Sequence, residues 1–244
     1  MLYADKILNR MKIVAVLLAG GVGNRLGADR PKQFFEIAGR TILEYSVDAF
    51  QRNENIHEIA IVSHPNHVSD VRQLIASNSS WTKVNSVLEG GKERYDSSLA
   101  AIRAYSDAPD TALLIHDSVR PLVSQRIIDE MCQALNVADV VNLVIPTVDT
   151  IVEVENNQMV AAPKRERLMR VQTPQAFKLH TIAEAYRRAL NDPLFSATDD
   201  CGVVFRYMPE VPIKIVLGDE RNVKLTHPAD LPLFERLLNE EPQH

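Results

Sequence analysis

Residues 13–34, IVAVLLAGGVGNRLGADRPKQF, join an apolar run to a turn that is rich in glycine and in basic residues. The seven residues 13–19 are apolar without alternation, which is typical of a strand buried on both faces of a parallel sheet. Four of the chain's nine glycines follow, between Gly20 and Gly27. Because ligands of open parallel sheets bind beyond the carboxyl ends of the strands, this turn is a candidate binding site.

Further strand-like runs alternate with helix-like segments along the rest of the chain. Strands are predicted at 13–19, 59–63, 112–115, 140–145 and 213–217, and helices at 41–51, 67–76, 96–105, 124–135 and 180–190. Thr41 and Glu44 form a capping-box pattern at the start of one helix, and Ser124 is a candidate N-cap of another. The alternation predicts a single α/β domain over residues 1–244, with a mostly parallel sheet covered by helices on both faces.

The alternation fails once, over residues 147–171. Val148, Ile151 and Val154 precede an Asn156–Asn157 pair, and β-branched residues are frequent, which favours a β-hairpin over a helix. We expect this segment to be a β-arm inserted into the domain. An extended arm must cover its apolar face, and a partner subunit in a C2 dimer is the common solution. An arm packed on its own domain is the alternative.

Composition excludes several classes of protein. The net charge is −5, with 27 basic and 32 acidic residues, so there is no overall positive field for binding nucleic acid. The apolar runs are too short to span a bilayer, and the first residues lack the charged-then-apolar order of a secretory signal. Cys132 and Cys201 are too few for a disulfide framework or a thiolate zinc site. We therefore expect a cytoplasmic protein that binds neither nucleic acid nor membrane.

The glycine turn fits neither of two common nucleotide-binding motifs. A dinucleotide fingerprint requires a third glycine where Leu26 stands, and a Walker loop requires a glycine before its lysine, whereas Pro31 precedes Lys32. What remains is a turn whose backbone amides could hold an anion. Arg25 and Lys32 follow, and they could neutralise charge on a triphosphate. A plain turn with solvated cations is the alternative from this stretch alone.

Seven motifs, in order along the chain, carry a resemblance to a known family. They are LAGGVGNRLGADRPKQF at 18–34, GGKERYDSS at 90–98, HDSVRP at 116–121, DTIVE at 149–153, QTPQAF at 172–177, TDD at 198–200 and NVKLT at 222–226. This set is similar, along nearly the whole chain, to the signature of cytidylyltransferases that form CDP-polyols. The resemblance implies a Rossmann-like nucleotidyltransferase domain that transfers CMP from CTP to a polyol phosphate, with Mg²⁺ as cofactor and pyrophosphate as second product. It also implies that the β-arm crosses a homodimer.

The resemblance implies a role for each matching residue. Nucleotide binding falls to Ala19, Gly20, Gly21, Gly23, Gly90, Gly91, Arg94 and Ser97. Catalytic charge neutralisation falls to Arg25, Lys32 and Lys224, and binding of Mg²⁺ to Asp117. Binding of the polyol phosphate falls to Arg120, Thr150, Arg165, Thr173, Thr198 and Asp199, where the two arm residues of this set would serve the neighbouring subunit's site. Without the resemblance, Asp117 could be a turn cap and Arg165 part of a solvated basic run.

The acceptor is harder to assign than the nucleotide. Residues 18–21 (LAGG), Val119, residues 126–128 (RII) and 152–153 (VE) resemble the branch of the family that uses D-ribitol 5-phosphate. GGKERYDSS and QTPQAF are shared with the branch that uses 2-C-methyl-D-erythritol 4-phosphate, or are closer to it. The sequence predicts D-ribitol 5-phosphate, with 2-C-methyl-D-erythritol 4-phosphate of isoprenoid precursor synthesis as the alternative.

Two alternatives come from other functional classes, and one motif is set aside. The other classes are an NAD(P)-dependent oxidoreductase and a catalytically silent nucleotide-binding protein. His64 and His67 resemble a histidine motif of another cytidylyltransferase class, but they lack its intervening glycine. We expect these two histidines to form a surface turn.

Overall fold

A seven-stranded sheet forms the centre of the structure, a computed structural model that describes residues 11–21, 31–227 and 229–240. The strands are β1 (Lys12–Ala19), β2 (Glu36–Ile37), β3 (Arg40–Thr41), β4 (Glu58–Ser63), β5 (Val84–Glu89), β6 (Thr111–Asp117), β7 (Val140–Pro146), β8 (Glu153–Glu155), β9 (Gln158–Ala161), β10 (Met169–Lys178) and β11 (Ile213–Leu217). The central order is β11-β7-β10-β6-β1-β4-β5. All neighbouring pairs are parallel except those of β10, which is antiparallel to β6 and β7. The predicted mostly parallel α/β sheet is therefore confirmed.

Helices cover both faces of this sheet. They are α1 (Ile42–Gln51), α2 (Val68–Ala76), α3 (Arg94–Ala104), α4 (Gln125–Ala134), α5 (Leu179–Ala189), α6 (Asp200–Tyr207) and α7 (Asp230–Asn239), with short 3-10 turns at Lys32–Phe34, Pro65–His67 and Arg165–Arg167. Odd-numbered residues of β1 pack in the core beneath α1, α2 and α4, and even-numbered ones in the core beneath α3, α5 and α6. Burial on both faces explains why β1 is apolar without alternation.

The predicted helix caps are present. The Thr41 hydroxyl accepts a hydrogen bond from the Glu44 N–H at 3.3 Å, and the Glu44 carboxylate accepts one from the Thr41 N–H at 2.6 Å. The Ser124 hydroxyl accepts from the Ile127 N–H at 3.3 Å. Each cap satisfies backbone groups that the first helical turn leaves without partners, so α1 and α4 begin where the sequence predicts.

Four parallel strands end together at one edge of the sheet. Leu18 of β1 lies opposite Asp117 of β6, Ala19 lies opposite Ser63 of β4, and Ser63 lies opposite Glu89 of β5. The glycines that follow β1 therefore leave the sheet beside Asp117, and those that follow β5 leave it at the same edge, with β1 and β4 in between. This edge is where an open α/β sheet is expected to bind its ligand.

The predicted β-arm contains a hairpin made of β8 and β9. Its turn residues Asn156 and Asn157 have φ of +48° and +63°, left-handed values that asparagine tolerates well. Residues 169–171, which the sequence places in the arm, instead begin β10 of the central sheet. Among the described residues, no helix has the length and apolar character needed to cross a membrane.

Candidate active site

A cavity of about 570 Å³ opens at the carboxyl edge of the sheet. It is lined by residues that follow β1, β4, β5 and β6 and by the segment 224–226: Leu18, Gly20, Gly21, Lys32, Gln33, His64, Gly91, Lys92, Glu93, Arg94, Ser97, Asp117, Ser118, Val119, Lys224, Leu225 and Thr226. Most of the predicted nucleotide-binding and catalytic residues are thus brought together. Gly23 and Arg25 lie outside the described residues.

Glycines allow the strand ends to approach α3 closely. A Cβ atom at Gly90 would lie 2.5 Å from the Ser97 hydroxyl oxygen, and one at Gly91 would lie 2.5 Å from the Asp96 Cβ. Side chains at these two positions would collide with the first turns of α3, because non-bonded carbon atoms normally stay about 3.5–4.0 Å apart. Ser97 is itself buried. The absence of side chains leaves backbone groups within reach of a ligand in the cavity.

Asp117, the last residue of β6, is held by two cations. Its Oδ1 accepts from Arg94 Nε at 3.2 Å, and its Oδ2 accepts from Lys224 Nζ at 2.7 Å. Burial alone would raise the pKa of Asp117, but Arg94 and Lys224 outweigh it and hold the pKa well below its usual value. The carboxylate is therefore ionised throughout the neutral range.

Asp200 holds the other side of Arg94. Its Oδ2 accepts from Arg94 Nη1 at 2.7 Å, and its Oδ1 accepts from the Tyr186 hydroxyl at 2.7 Å. Burial lowers the pKa of Arg94, but Asp200 and Asp117 reverse this and raise it above the ordinary value. Asp200 is fully buried. It lies within the TDD motif, but the sequence predicted no role for it, so this residue was missed.

Thr173 and His116 hold the backbone of Asp117 in place through a chain of buried hydrogen bonds. The Thr173 hydroxyl accepts from the Asp117 N–H at 3.0 Å and can donate to His116 Nδ1 at 3.2 Å, while His116 Nε2 lies 3.0 Å from the Arg120 carbonyl oxygen. These contacts fit a neutral imidazole with its proton on Nε2, which would donate to the Arg120 carbonyl oxygen while Nδ1 accepts from Thr173. Burial lowers the pKa of His116 to about 4, which keeps the ring neutral. Thr173 was predicted to bind the acceptor; the structure places its hydroxyl in this support.

Lys32 and its neighbour tie the turn at 31–34 to two other segments. The Lys32 ammonium donates to the Thr226 carbonyl oxygen at 2.5 Å, and the Gln33 amide donates to the Ala19 carbonyl oxygen at 2.7 Å. Ala19 is buried at the end of β1 and does not line the cavity. The first bond joins Lys32 to the segment 224–226, and Lys32, Lys224, Gly20 and Gly21 all line the same cavity.

A second cavity of about 330 Å³ adjoins the first. Its wall contains Arg120, Ile145, Arg170, Val171, Gln172, Glu220, Asn222, Val223, Lys224, Asp230 and Leu233. Lys224 lines both cavities. Arg120 Nη1 donates to the Asn222 carbonyl oxygen at 2.8 Å. The predicted acceptor residue Arg120 therefore lies next to the predicted nucleotide site.

The other predicted acceptor residues line neither cavity. Thr150 and Arg165 lie on the exposed arm, where Arg165 Nη1 donates to the Val148 carbonyl oxygen at 3.3 Å. Thr198 is exposed, and the Asp199 carboxylate accepts from the Gln175 amide at 2.5 Å. Within one described chain, these four residues are not assembled with Asp117.

His64 lies at the start of a 3-10 turn and also lines the larger cavity. It is the N-cap of the 3-10 turn Pro65–His67, and its Nδ1 accepts from the Asn66 N–H at 3.2 Å. The predicted turn is therefore present. Half-buried His64 nevertheless lines the cavity, which the sequence did not predict.

In the part of the chain that the structure describes, two carboxylates line the larger cavity, those of Glu93 and Asp117, and Asp117, at the end of β6, is the one that the sequence predicts as a metal ligand. The described residues contain no group of three or more histidine, cysteine, aspartate or glutamate side chains arranged to bind a metal. Mg²⁺ commonly uses only one or two protein carboxylates together with substrate phosphates. The ionised carboxylate of Asp117, in a cavity that Gly20 and Gly21 also line, fits a Mg²⁺ ion that arrives with a nucleotide.

Relatives of the chain are cytidylyltransferases. A sequence model of the 2-C-methyl-D-erythritol 4-phosphate cytidylyltransferase family matches residues 13–240. The enzyme of that name from Thermobifida fusca (strain YX) is 44% identical over 235 residues, with 94% of each protein covered. The bifunctional ribulose 5-phosphate reductase/CDP-ribitol pyrophosphorylase of Haemophilus influenzae is 43% identical over 234 residues, which make up 95% of this chain and 49% of that protein.

Solved structures share the fold. The crystal structure of 2-C-methyl-D-erythritol 4-phosphate cytidylyltransferase from Thermus thermophilus matches with a TM-score of 0.72 at 28% identity, covering 94% of this chain and all of that one. A 4-diphosphocytidyl-2C-methyl-D-erythritol synthase from Anaerococcus prevotii matches with a TM-score of 0.84 at 24% identity, covering 96% and 99%, and supports the fold alone. The chain belongs to the 2-C-methyl-D-erythritol 4-phosphate cytidylyltransferase family and is a nucleotidyltransferase that uses CTP.

Proposed function

We propose that the enzyme transfers CMP from CTP to 2-C-methyl-D-erythritol 4-phosphate. The match of the family model to residues 13–240 carries this proposal, and the Thermobifida fusca enzyme of the same name supports it. D-Ribitol 5-phosphate, which the sequence motifs favour, becomes the second candidate acceptor. It is kept because the Haemophilus influenzae CDP-ribitol pyrophosphorylase is 43% identical over 95% of the chain.

The reaction is an in-line displacement at the α-phosphorus of CTP. A phosphate oxygen of the acceptor forms the new P–O bond, the bond from the α-phosphorus to the bridging oxygen breaks, and pyrophosphate leaves with the electron pair. The acceptor oxygen is already anionic, so no general base is required. The task of the protein is to position two anions and to neutralise the charge of the transition state.

The larger cavity is the proposed CTP site. Gly20 and Gly21 would hold the phosphates through backbone amides, and Gly91 and Ser97 would lie against the nucleoside. Lys32 and Lys224 would neutralise charge at the reacting phosphorus, together with Arg25. Asp117 would hold Mg²⁺. That ion, when bound, neutralises charge on the CTP phosphates and on the departing pyrophosphate.

The proposed acceptor site is the second cavity. An in-line attack requires the acceptor to approach the α-phosphorus from the side opposite the leaving group, and the second cavity, which shares Lys224 with the first, is the proposed side of approach. Lys224 and Arg120 supply two cations for the acceptor phosphate. Lys224 would thus contact both reactants, as a group that bridges the attacking and attacked phosphates should.

The arm is the proposed dimer contact. Its apolar residues are exposed in the single chain, with Val148 at 69%, Val154 at 58% and Met159 at 64% of full exposure. An apolar surface of this kind is usually covered by a partner. In a homodimer through the arm, Thr150 and Arg165 would reach the neighbouring site. A sizing measurement that returned only monomer would contradict this part of the proposal.

Pyrophosphate release tests the acceptor assignment. Turnover is measured with CTP, Mg²⁺ and each of the two polyol phosphates in parallel. We expect the higher kcat/KM with 2-C-methyl-D-erythritol 4-phosphate. A clear preference for D-ribitol 5-phosphate would reverse the order of the two candidates, and turnover with neither would remove both.

A further inference from the structure

The second cavity combines charged and apolar walls. Arg170 and Glu220 supply charge, while Ile145, Val171 and Leu233 supply apolar surface. The acceptor phosphate would need only the two cations Arg120 and Lys224 of this lining. The remaining surface suits a molecule that carries both hydroxyl groups and carbon.

Glu220 and Arg170 form an exposed ion pair in this wall. Arg170 Nη2 lies 2.6 Å from Glu220 Oε1, and the two side chains are 44% and 66% exposed. Exposed ion pairs contribute little to stability because water competes for both charges. A ligand hydroxyl can therefore replace one partner at little cost to the fold.

The carboxylate of Glu220 also has unused capacity. Glu220 Oε2 accepts no hydrogen bond from any residue within the described ranges, although a carboxylate oxygen offers two lone pairs. Asp230, the other acid of the cavity, also uses one oxygen, but that oxygen is tied to the backbone of its own segment. Its Oδ2 already accepts from the N–H groups of Thr226 and His227 at 2.6 and 2.7 Å, and from the Thr226 hydroxyl at 3.1 Å.

The loop that carries Glu220 is held in place on both sides. The Gln172 amide donates to the Asp219 carbonyl oxygen at 2.8 Å and to the Asn222 carbonyl oxygen at 3.3 Å. Arg221 Nη2 donates to the Leu237 carbonyl oxygen of α7 at 2.6 Å. A Cβ atom at Gly218 would collide with the Gln172 side chain, so the loop can pack this closely only with glycine there. Glu220 is thus presented from a fixed backbone, as selective binding requires.

We propose that Glu220 selects the acceptor by accepting hydrogen bonds from its hydroxyl groups, while Ile145, Val171 and Leu233 contact its carbon chain. This inference rests on the proposed function, since it places the polyol in the second cavity with its phosphate at Lys224 and Arg120. Arg170 orients Glu220 and exchanges its contact for a hydroxyl when the acceptor binds. The apolar wall favours a methyl-branched chain over an unbranched one.

Steady-state kinetics of Glu220→Ala and Glu220→Gln test the proposal. We expect the KM for the acceptor to rise about tenfold or more in Glu220→Ala, as for the loss of a hydrogen bond to a charged group, and less in Glu220→Gln. The KM for CTP should stay within about twofold of wild type, a split that a general loss of structure would not produce. Glu184→Ala is the matched control, because Glu184 is a half-buried acid paired with Arg187 and Arg188 on α5, outside both cavities.

A third variant tests the apolar wall. Leu233→Ser should lower kcat/KM for the methyl-branched acceptor more than for the unbranched one, because one methyl contact changes discrimination about tenfold. An acceptor KM in Glu220→Ala within twofold of wild type would overturn the inference while leaving the proposed function intact. Wild-type enzyme that turned over neither acceptor would overturn both.

Discussion

The two cavities on either side of Lys224 hold their charges in opposite ways. Around the proposed nucleotide, Arg94 lies between Asp117 and Asp200, and both carboxylates are buried. Around the proposed acceptor, Arg170 and Glu220 meet at the surface. The buried group has few alternative partners, whereas the exposed pair can exchange its contacts with water or with a ligand.

This difference matches the demands of the two reactants. The nucleotide is shared by the whole reaction class, so the groups that receive it can be fixed by buried ion pairs. The relatives are named for different acceptors. Side chains that distinguish one acceptor from another should therefore be exposed, so that they can exchange a protein contact for a contact with the ligand. Removing one member of a buried pair should therefore disturb the fold, while removing one member of the exposed pair should disturb only acceptor selection.

The largest effect is expected from Asp200→Asn. Removing this charge leaves Asp117 as the one remaining buried carboxylate that Arg94 contacts within the described residues, and breaking a buried ion pair costs about 3–5 kcal/mol in the free energy of unfolding. Chemical denaturation measures the loss directly. The affinity for CTP should also fall, because Arg94 would lose the carboxylate that fixes its Nη1 group and with it part of its orientation in the cavity.

Tyr186→Phe separates this role from a general effect of packing. It removes one hydrogen bond to Asp200 and should destabilise the protein by about 1.5–3 kcal/mol. Tyr207→Phe is the matched control, since the Tyr207 hydroxyl donates to Asp192 at 2.6 Å away from both cavities. Equal losses in the two tyrosine variants would contradict the special position of Asp200.

The next effect is expected from Lys224→Ala, which acts where the two cavities meet. The loss of one charge-neutralising group should lower kcat by about 10²–10³, and we expect the folded variant to keep its affinity for CTP if the glycine turn and Ser97 bind the nucleotide as proposed. Lys178→Ala is the control, because Lys178 also pairs with an aspartate at 2.7 Å, Asp139, outside both cavities. A variant that kept near wild-type turnover would remove Lys224 from the reaction.

Local sequence patterns predicted those elements whose start and end are determined by residues close together in the sequence. The apolar run before Gly20 predicted β1, and Thr41 with Glu44 predicted the start of α1. Edge strand β5 was missed because its residues are only partly buried and alternate weakly. Strand β10 was missed because it runs out of the arm and contains Pro174, which interrupts a strand-like pattern.

In the candidate active site, too, local sequence patterns predicted single residues but not their distant partners. Asp117 and Lys224 were found because each lies in a recognisable motif, and they meet across 107 residues. Asp200 acts through Arg94, 106 residues away, and no local pattern reports which distant cation a carboxylate will face. Thr173 was given to the acceptor by its motif, but its hydroxyl contacts His116 and Asp117, a partnership that only the antiparallel placement of β10 creates.

The most gradual of the expected effects, spread over more than two pH units, is a pH dependence of stability that originates at His116. Burial lowers its folded pKa to about 4 from the ordinary 6.5, so between these values the unfolded chain binds a proton that the folded chain does not. The free energy of unfolding should therefore fall by up to about 3 kcal/mol as the pH is lowered from 6.5 to 4, and should be insensitive to this group above 6.5.

His116→Gln should remove this slope, whatever its effect on overall stability, because glutamine does not titrate. Asp117 acts in a separate window: its depressed pKa contributes stability above its ordinary value of 3.8, and this is lost only as the pH falls further. Denaturation curves of wild type and variant at several pH values between about 4 and 7 distinguish the two groups. Parallel slopes in that range would mean that His116 is not held neutral, and that the support behind Asp117 does not depend on the charge state of the ring.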